Sequence, residues 1–110
     1  MKSEEQNDQN VITLLQFAYK ANKLALGQDN VIKKLLKNKV LLILYTKELS
    51  LSTIKKINKY ATQTNVKSHL WGDKELYQSI FGNSYGILGV TDKNFYNGLK
   101  KYFSWMKTEE

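Results

Sequence analysis

Along this chain two hydrophobic patterns alternate: apolar residues at helical spacing, and short unbroken apolar runs. Val11, Leu14, Leu15, Ala18 and Ala21 share one helical face and predict a helix from Val11 to about Asn22. Leu24 to Leu26 reads as a brief strand leading to Gly27. A second helix follows from Gly27 to Asn38. At about 100° per residue, Val31, Ile32, Leu35 and Leu36 fall on one arc, and Asn30, Lys33, Lys34 and Lys37 on the other. The apolar arc is expected to lie on a core. Val40 to Tyr45 is apolar throughout, which suits a strand covered on both faces.

The alternation continues to the C-terminus. Ser50 or Ser52 caps the next helix, with Ile54, Ile57 and Ala61 inward, Lys55, Lys56 and Lys59 outward, and Asn65 at its end. Val66 to Trp71 alternates only partially and reads as a strand near an edge. Asp73 is a good N-cap for a helix from Lys74 to Phe81, and Gly82-Asn83-Ser84 makes a loop. Gly86 to Thr91 is a further apolar run. Its two glycines mark places where a ligand or neighbouring backbone comes close. A last helix from about Lys93 is expected to bury Phe95, Leu99, Tyr102 and Met106. Helices alternating with strands predict an α/β/α sandwich around a small, mostly parallel or mixed sheet. No strand is followed by a glycine-rich nucleotide or phosphate cradle.

Composition narrows the chemistry. The 110 residues suit one domain with a single core. Residues 1–10, polar and acidic, read as a disordered tail, 11–106 as the domain, and 107–110 as a second tail. There is no cysteine, arginine or proline, and His69 is the single histidine. A disulfide framework, a thiolate nucleophile and a histidine-rich metal cage are therefore excluded. No secretory leader or membrane-length apolar run is present, so a cytoplasmic, membrane-free protein is expected.

The formal charge is +7, and every cation is a lysine. From Val11 to Met106 lysines outnumber acids fifteen to five, while the tails are acidic. A body this basic favours an anionic partner, and solubility alone is the competing explanation.

Three segments, FAYKANKLALGQDNVIKKL, KNKVLLILYTKELS and YGILGVTDKNF, resemble the ribosomal-protein family named L-seven-Ae, which binds kink-turns in RNA. Within it they are most similar to the small bacterial branch called YlxQ. The resemblance covers about Leu14 to Leu99. It implies a three-layer α/β/α sandwich with a four-stranded mixed sheet, and a role as a non-catalytic, cofactor-free, monomeric RNA-binding protein in translation. Its implied partners are structured RNA, either kink-turn or ribosomal, and the ribosome or translation factors.

The family places the motif G-x-N-E-x-x-K against the sheared G·A pairs of the kink-turn. Gly27, Gln28, Asp29, Asn30, Val31, Ile32 and Lys33 occupy those positions here. Asp29 stands where the family has asparagine, and Asn30 where it has glutamate. Gly27 allows close backbone approach, helix N–H groups bind phosphate, and Asn30 both donates and accepts. Lys33, Lys34 and Lys37 neutralise phosphates. Asp29 has two readings, a helix cap or an acceptor for a guanine amino group.

The family's second RNA contact corresponds to Gly82, Asn83, Ser84, Tyr85, Gly86 and Ile87. Tyr85 is read either as a base-stacking ring or as a surface tyrosine at a strand edge. In the helix before this loop, Tyr77 follows Leu76 where the family has glycine. The alternative function is a protein-interaction or ribosome-assembly module on the same fold, marked by an aromatic patch from Trp71, Tyr96, Phe103 and Trp105. Catalysis has poor support, because His69 has no identifiable carboxylate partner in the sequence.

Overall fold

The computed structural model describes residues 2–103, with side chains from Asp8 onward. In chain order the elements are α1 (Lys2–Lys20), β1 (Leu24–Leu26), α2 (Gln28–Leu36), β2 (Leu42–Tyr45), α3 (Leu51–Gln63), β3 (Lys67–Leu70), α4 (Lys74–Phe81), β4 (Ile87–Val90) and α5 (Lys93–Phe103). The strands form one four-stranded mixed sheet in the order β1-β4-β2-β3. β4 runs antiparallel to both β1 and β2, and β2 runs parallel to β3.

Side-chain alternation along the central strands divides the core into two layers. Leu42, Leu44, Leu88 and Val90 face one side, where α1, α4 and α5 bury Val11, Leu15, Tyr77, Phe81, Leu99 and Phe103. Ile43 and Ile87 face the other side, where α2 contributes Val31 and Leu35 and α3 contributes Ile57 and Ala61. The expected α/β/α sandwich is thus present, with three helices on one face and two on the other. β3 is an edge strand, as its weak alternation predicted.

Several boundaries differ from the sequence reading, each for a physical reason. The first helix is described from Lys2, ahead of the start at Val11 that the apolar spacing predicts. On this helix the exposed Asp8 accepts the Trp71 indole N–H at 3.4 Å.

Leu36 was expected in the core and is 62% exposed. On α2 the buried pair is Val31 and Leu35, one turn apart. Leu36 lies roughly 100° round from Leu35. The helix stops there, and Asn38, at φ 58°, turns the chain toward the sheet. The ladder of β2 begins at Leu42 rather than Val40, although Val40 is buried. On α5 the fully packed residues are Leu99 and Phe103, while Phe95 and Tyr102 are half-buried. Met106, Trp105 and the tail 107–110 lie outside the described residues.

The two glycines of the β4 run are filled by this chain's own side chains. A Cβ on Gly89 would stand 3.1 Å from Val40, and one on Gly86 3.0 Å from Leu49. Both are packing glycines.

Candidate nucleic-acid interface

The strand directions bring four loops to one end of the sheet. β1, β2 and β3 finish there and β4 starts there. Backbone hydrogen bonds sew the loops together. Gly27 N–H donates to the Ile87 carbonyl at 3.0 Å and Thr46 N–H to Gly86 at 2.9 Å. Trp71 N–H donates to Tyr45 at 2.9 Å, and Lys47 N–H to Gly72 at 3.1 Å. The two segments assigned to RNA by resemblance, Gly27–Asn30 and Tyr85–Ile87, are therefore neighbours although far apart in sequence.

Helices α2, α3 and α4 all begin at this end, but their first turns differ. Ser50 accepts the Thr53 N–H and closes α3. Asp73 accepts the Leu76 N–H at 2.9 Å, and Glu48 accepts the Lys74 N–H at 3.0 Å, so α4 is closed twice. The N-cap of α2 is Gly27, which has no side chain to offer, and no side chain caps that turn. An uncapped first turn presents N–H groups and the positive end of the helix dipole. Gly27 holds φ 90° and ψ 158°, a conformation essentially restricted to glycine.

Asn30 is exposed, and its amide nitrogen donates to the Leu26 carbonyl at 2.9 Å. That bond fixes the side chain beside the open turn and leaves its carbonyl oxygen as an acceptor. Asp29 is also exposed and sits inside the first turn, not at the cap, so its reading as the helix cap is corrected. As a first-turn acid it only complements the dipole. Gln28 and Lys34 are half-buried, and Lys33 and Lys37 are exposed. Asn30, Lys33 and Lys37 recur at spacings of three and four, which makes a polar stripe along α2.

Tyr85 borders this end of the sheet, two residues before β4. Its half-buried ring packs against the core and meets Phe81 edge-on at 6.5 Å. A Cβ on Gly27 would lie 3.8 Å from its Cδ1, so the ring walls the open turn of α2. The Ile87 side chain is core, 1% exposed, and contributes only its carbonyl to this end. The Gly86 carbonyl likewise accepts from Thr46. The loop after β2, with buried Thr46 and with Leu49 against Gly86, is a part of the site that the residue-level reading passed over. Its one signal was a polar residue directly after the apolar strand.

Among the described residues the remaining aromatic candidates do not group on the surface. Trp71 and Phe103 are buried and Tyr96 is half-buried, so those three form no exposed aromatic patch. His69 stacks on the Phe103 ring at 5.3 Å. Among the described residues no three His, Cys, Asp or Glu side chains group to hold a metal ion. No described helix is long and apolar enough to cross a membrane.

No protein-family model and no curated protein matches this chain. Solved structures do. A protein with unknown function from Bacillus halodurans superposes with a TM-score of 0.80 at 21% identity, over 86% of this chain and 96% of that one. The Giardia lamblia 15.5kD RNA binding protein gives a TM-score of 0.78 at 8% identity, over 94% of this chain and 89% of that one. Likenesses at these identities establish a shared fold, carried by the whole described domain.

Proposed function

We propose that this protein binds structured RNA, of the kink-turn or ribosomal type, through the open first turn of α2 and the lysine stripe behind it. The observation that carries this reading is the contrast among the three helix starts. α3 and α4 are closed by their own side chains, and α2 alone of the three is left open, beside Gly27, Asn30 and the Tyr85 ring. The shared fold with a solved RNA-binding protein supports it.

In this reading a base edge or phosphate approaches Gly27 and accepts from the first-turn N–H groups of α2. Asn30 accepts from, and donates to, a base edge. Lys33, Lys34 and Lys37 follow the phosphates. Asp29, freed from capping, accepts from a guanine amino group. The protein performs no catalysis, works as a monomer in the cytoplasm, and acts on the ribosome or with translation factors.

The test is a titration against a kink-turn RNA, a matched plain duplex and a single strand, each at two salt concentrations. Preference for the kink-turn, lost in Asn30→Ala, supports the reading. Equal affinity for all three RNAs, unaltered by Asn30→Ala, reduces the protein to a non-specific binder. Binding untouched by removing Lys33, Lys34 and Lys37 together moves the site elsewhere.

A further inference from the structure

The sheet has a second end, and the charge is distributed very unequally between the two. Asp29, Glu48, Asp73 and Glu75 all lie on the loops and first turns at the end described above. Asp8 also belongs there, through Trp71. At the opposite end the only described carboxylate is Asp92, and it is engaged, accepting the Phe95 N–H at 3.1 Å at the start of α5.

That opposite end collects lysines from separate parts of the chain. Lys23 directly precedes β1, and its carbonyl accepts the Thr91 N–H at 3.0 Å and the Thr91 hydroxyl at 2.9 Å, which pins it beside the end of β4. Lys39, whose N–H donates to the Lys34 carbonyl at 2.9 Å, lies two residues before Leu41, whose N–H donates to the Val90 carbonyl at 2.8 Å. Lys67 opens β3, opposite Leu42. Lys93 opens α5. All four are exposed. Neighbouring strands lie about 4.8 Å apart, so Lys23, Lys39 and Lys67 are spread over roughly 14 Å of sheet edge. Lys37, at the C-cap of α2, joins this row to the stripe on that helix.

We infer that this lysine row is a second RNA-contacting surface, one that grips the phosphate backbone without reading bases. The inference rests on RNA being the partner. It assigns most of the electrostatic affinity to the end of the sheet away from the open turn of α2. Lysine heads act as point charges without a planar fork, which suits backbone neutralisation rather than base recognition. Carboxylates concentrated at the first end, against Lys47 and Lys74 on the same loops, lower its attraction for phosphate. The row at the second end faces one described carboxylate, Asp92, which is engaged by the Phe95 N–H.

The test compares two triple variants of equal charge: K23Q/K39Q/K67Q at the second end, and K55Q/K56Q/K59Q on the exposed face of α3. Affinity for a plain RNA duplex is measured across a salt series, with thermal melts to show that both remain folded. Three lost phosphate contacts should flatten the slope of log K against log salt by about 2–3 units. That loss in the first variant, with less than about one unit in the second, supports the second surface. Equal losses in the two variants attribute the effect to net charge and overturn it. A wild-type slope in K23Q/K39Q/K67Q also overturns it, and if Asn30→Ala still alters RNA preference, the α2 site stands without it. A flattened slope in the first variant while Asn30 and Lys33 substitutions change nothing has the reverse meaning. Absence of any RNA binding by the wild-type protein removes both readings.

Discussion

The phenolic hydroxyl of Tyr77 donates to the carbonyl oxygen of Trp71 at 3.0 Å, inside the layer shared by α1, α4 and α5. The bond ties the end of β3 to the middle of α4 and so fixes the loop carrying Gly72 and Asp73. Burial pushes the Tyr77 phenol above its ordinary range, because a phenolate there would lose its hydration. The folded state thus holds this proton more tightly than the unfolded chain, where tyrosine releases it near pH ~10. Its contribution to stability is complete below that pH and is lost as the pH rises above it. Unfolding free energy should fall steeply in alkali, by up to about 1.4 kcal/mol per pH unit from this group. Denaturant melts from pH 8 to 11 on wild type and Tyr77→Phe check it. The variant should be less stable at neutral pH and should show a shallower alkaline decline.

α2 offers a contrast between adjacent leucines. Leu35 is fully buried and Leu36 is 62% exposed. Leu35→Ala should cost about 2–5 kcal/mol, while Leu36→Ala should stay within about 0.5 kcal/mol. Equal costs in urea denaturation would mean that the helix is rotated from the orientation described.

Gly27→Ala tests the open turn directly. Its φ of 90° and ψ of 158° strain any residue with a Cβ, so the substitution should cost about 1–3 kcal/mol of stability. The new methyl also faces Tyr85, narrowing the approach to the first-turn N–H groups. RNA affinity, measured where the variant is still fully folded, should drop. Unchanged affinity in a folded variant would show that ligand does not approach the Gly27 backbone.

The acids of the first turns separate by role. Asp73→Ala removes a cap and should cost about 1 kcal/mol. Asp29→Asn removes no capping bond and should stay within about 0.5 kcal/mol. If Asp29 instead reads a guanine, the same variant alters preference among RNAs with the melting curve unmoved.

The layered fold was legible because its signal is redundant. Val40–Tyr45 and Gly86–Thr91 announced covered strands, and Ile57, Ala61 and Leu99 announced the helix faces. What escaped depended on chain position and tertiary partners. Leu36 shares an apolar arc with Leu35, but one further residue of rotation at a helix end carries it into solvent. Residues 2–10 lack an apolar face, so periodicity starts the first helix at Val11 rather than Lys2. At the candidate site, residue types pointed to Gly27 and Asn30. They could not show that Ile87 faces inward, or that Tyr85 stands against Gly27 across the sheet end. Charge was visible as a total; its separation between two ends required strand order.

β4 is the last strand to be made, yet it lies between β1 and β2 and supplies both of their ladders. Until residues 87–90 leave the ribosome, β1 has no neighbour, and β2 can pair only with β3. Both hydrophobic layers also lack the central residues Ile87, Leu88 and Val90. The sheet therefore cannot close from the N-terminus as synthesis proceeds. It closes when β4 inserts into a gap that nothing earlier fills. Non-local pairing of this kind is slow and leaves strand edges open meanwhile. Nascent chains stopped before Ile87 should remain protease-sensitive, and those extended past Phe103 and clear of the exit tunnel should become resistant together.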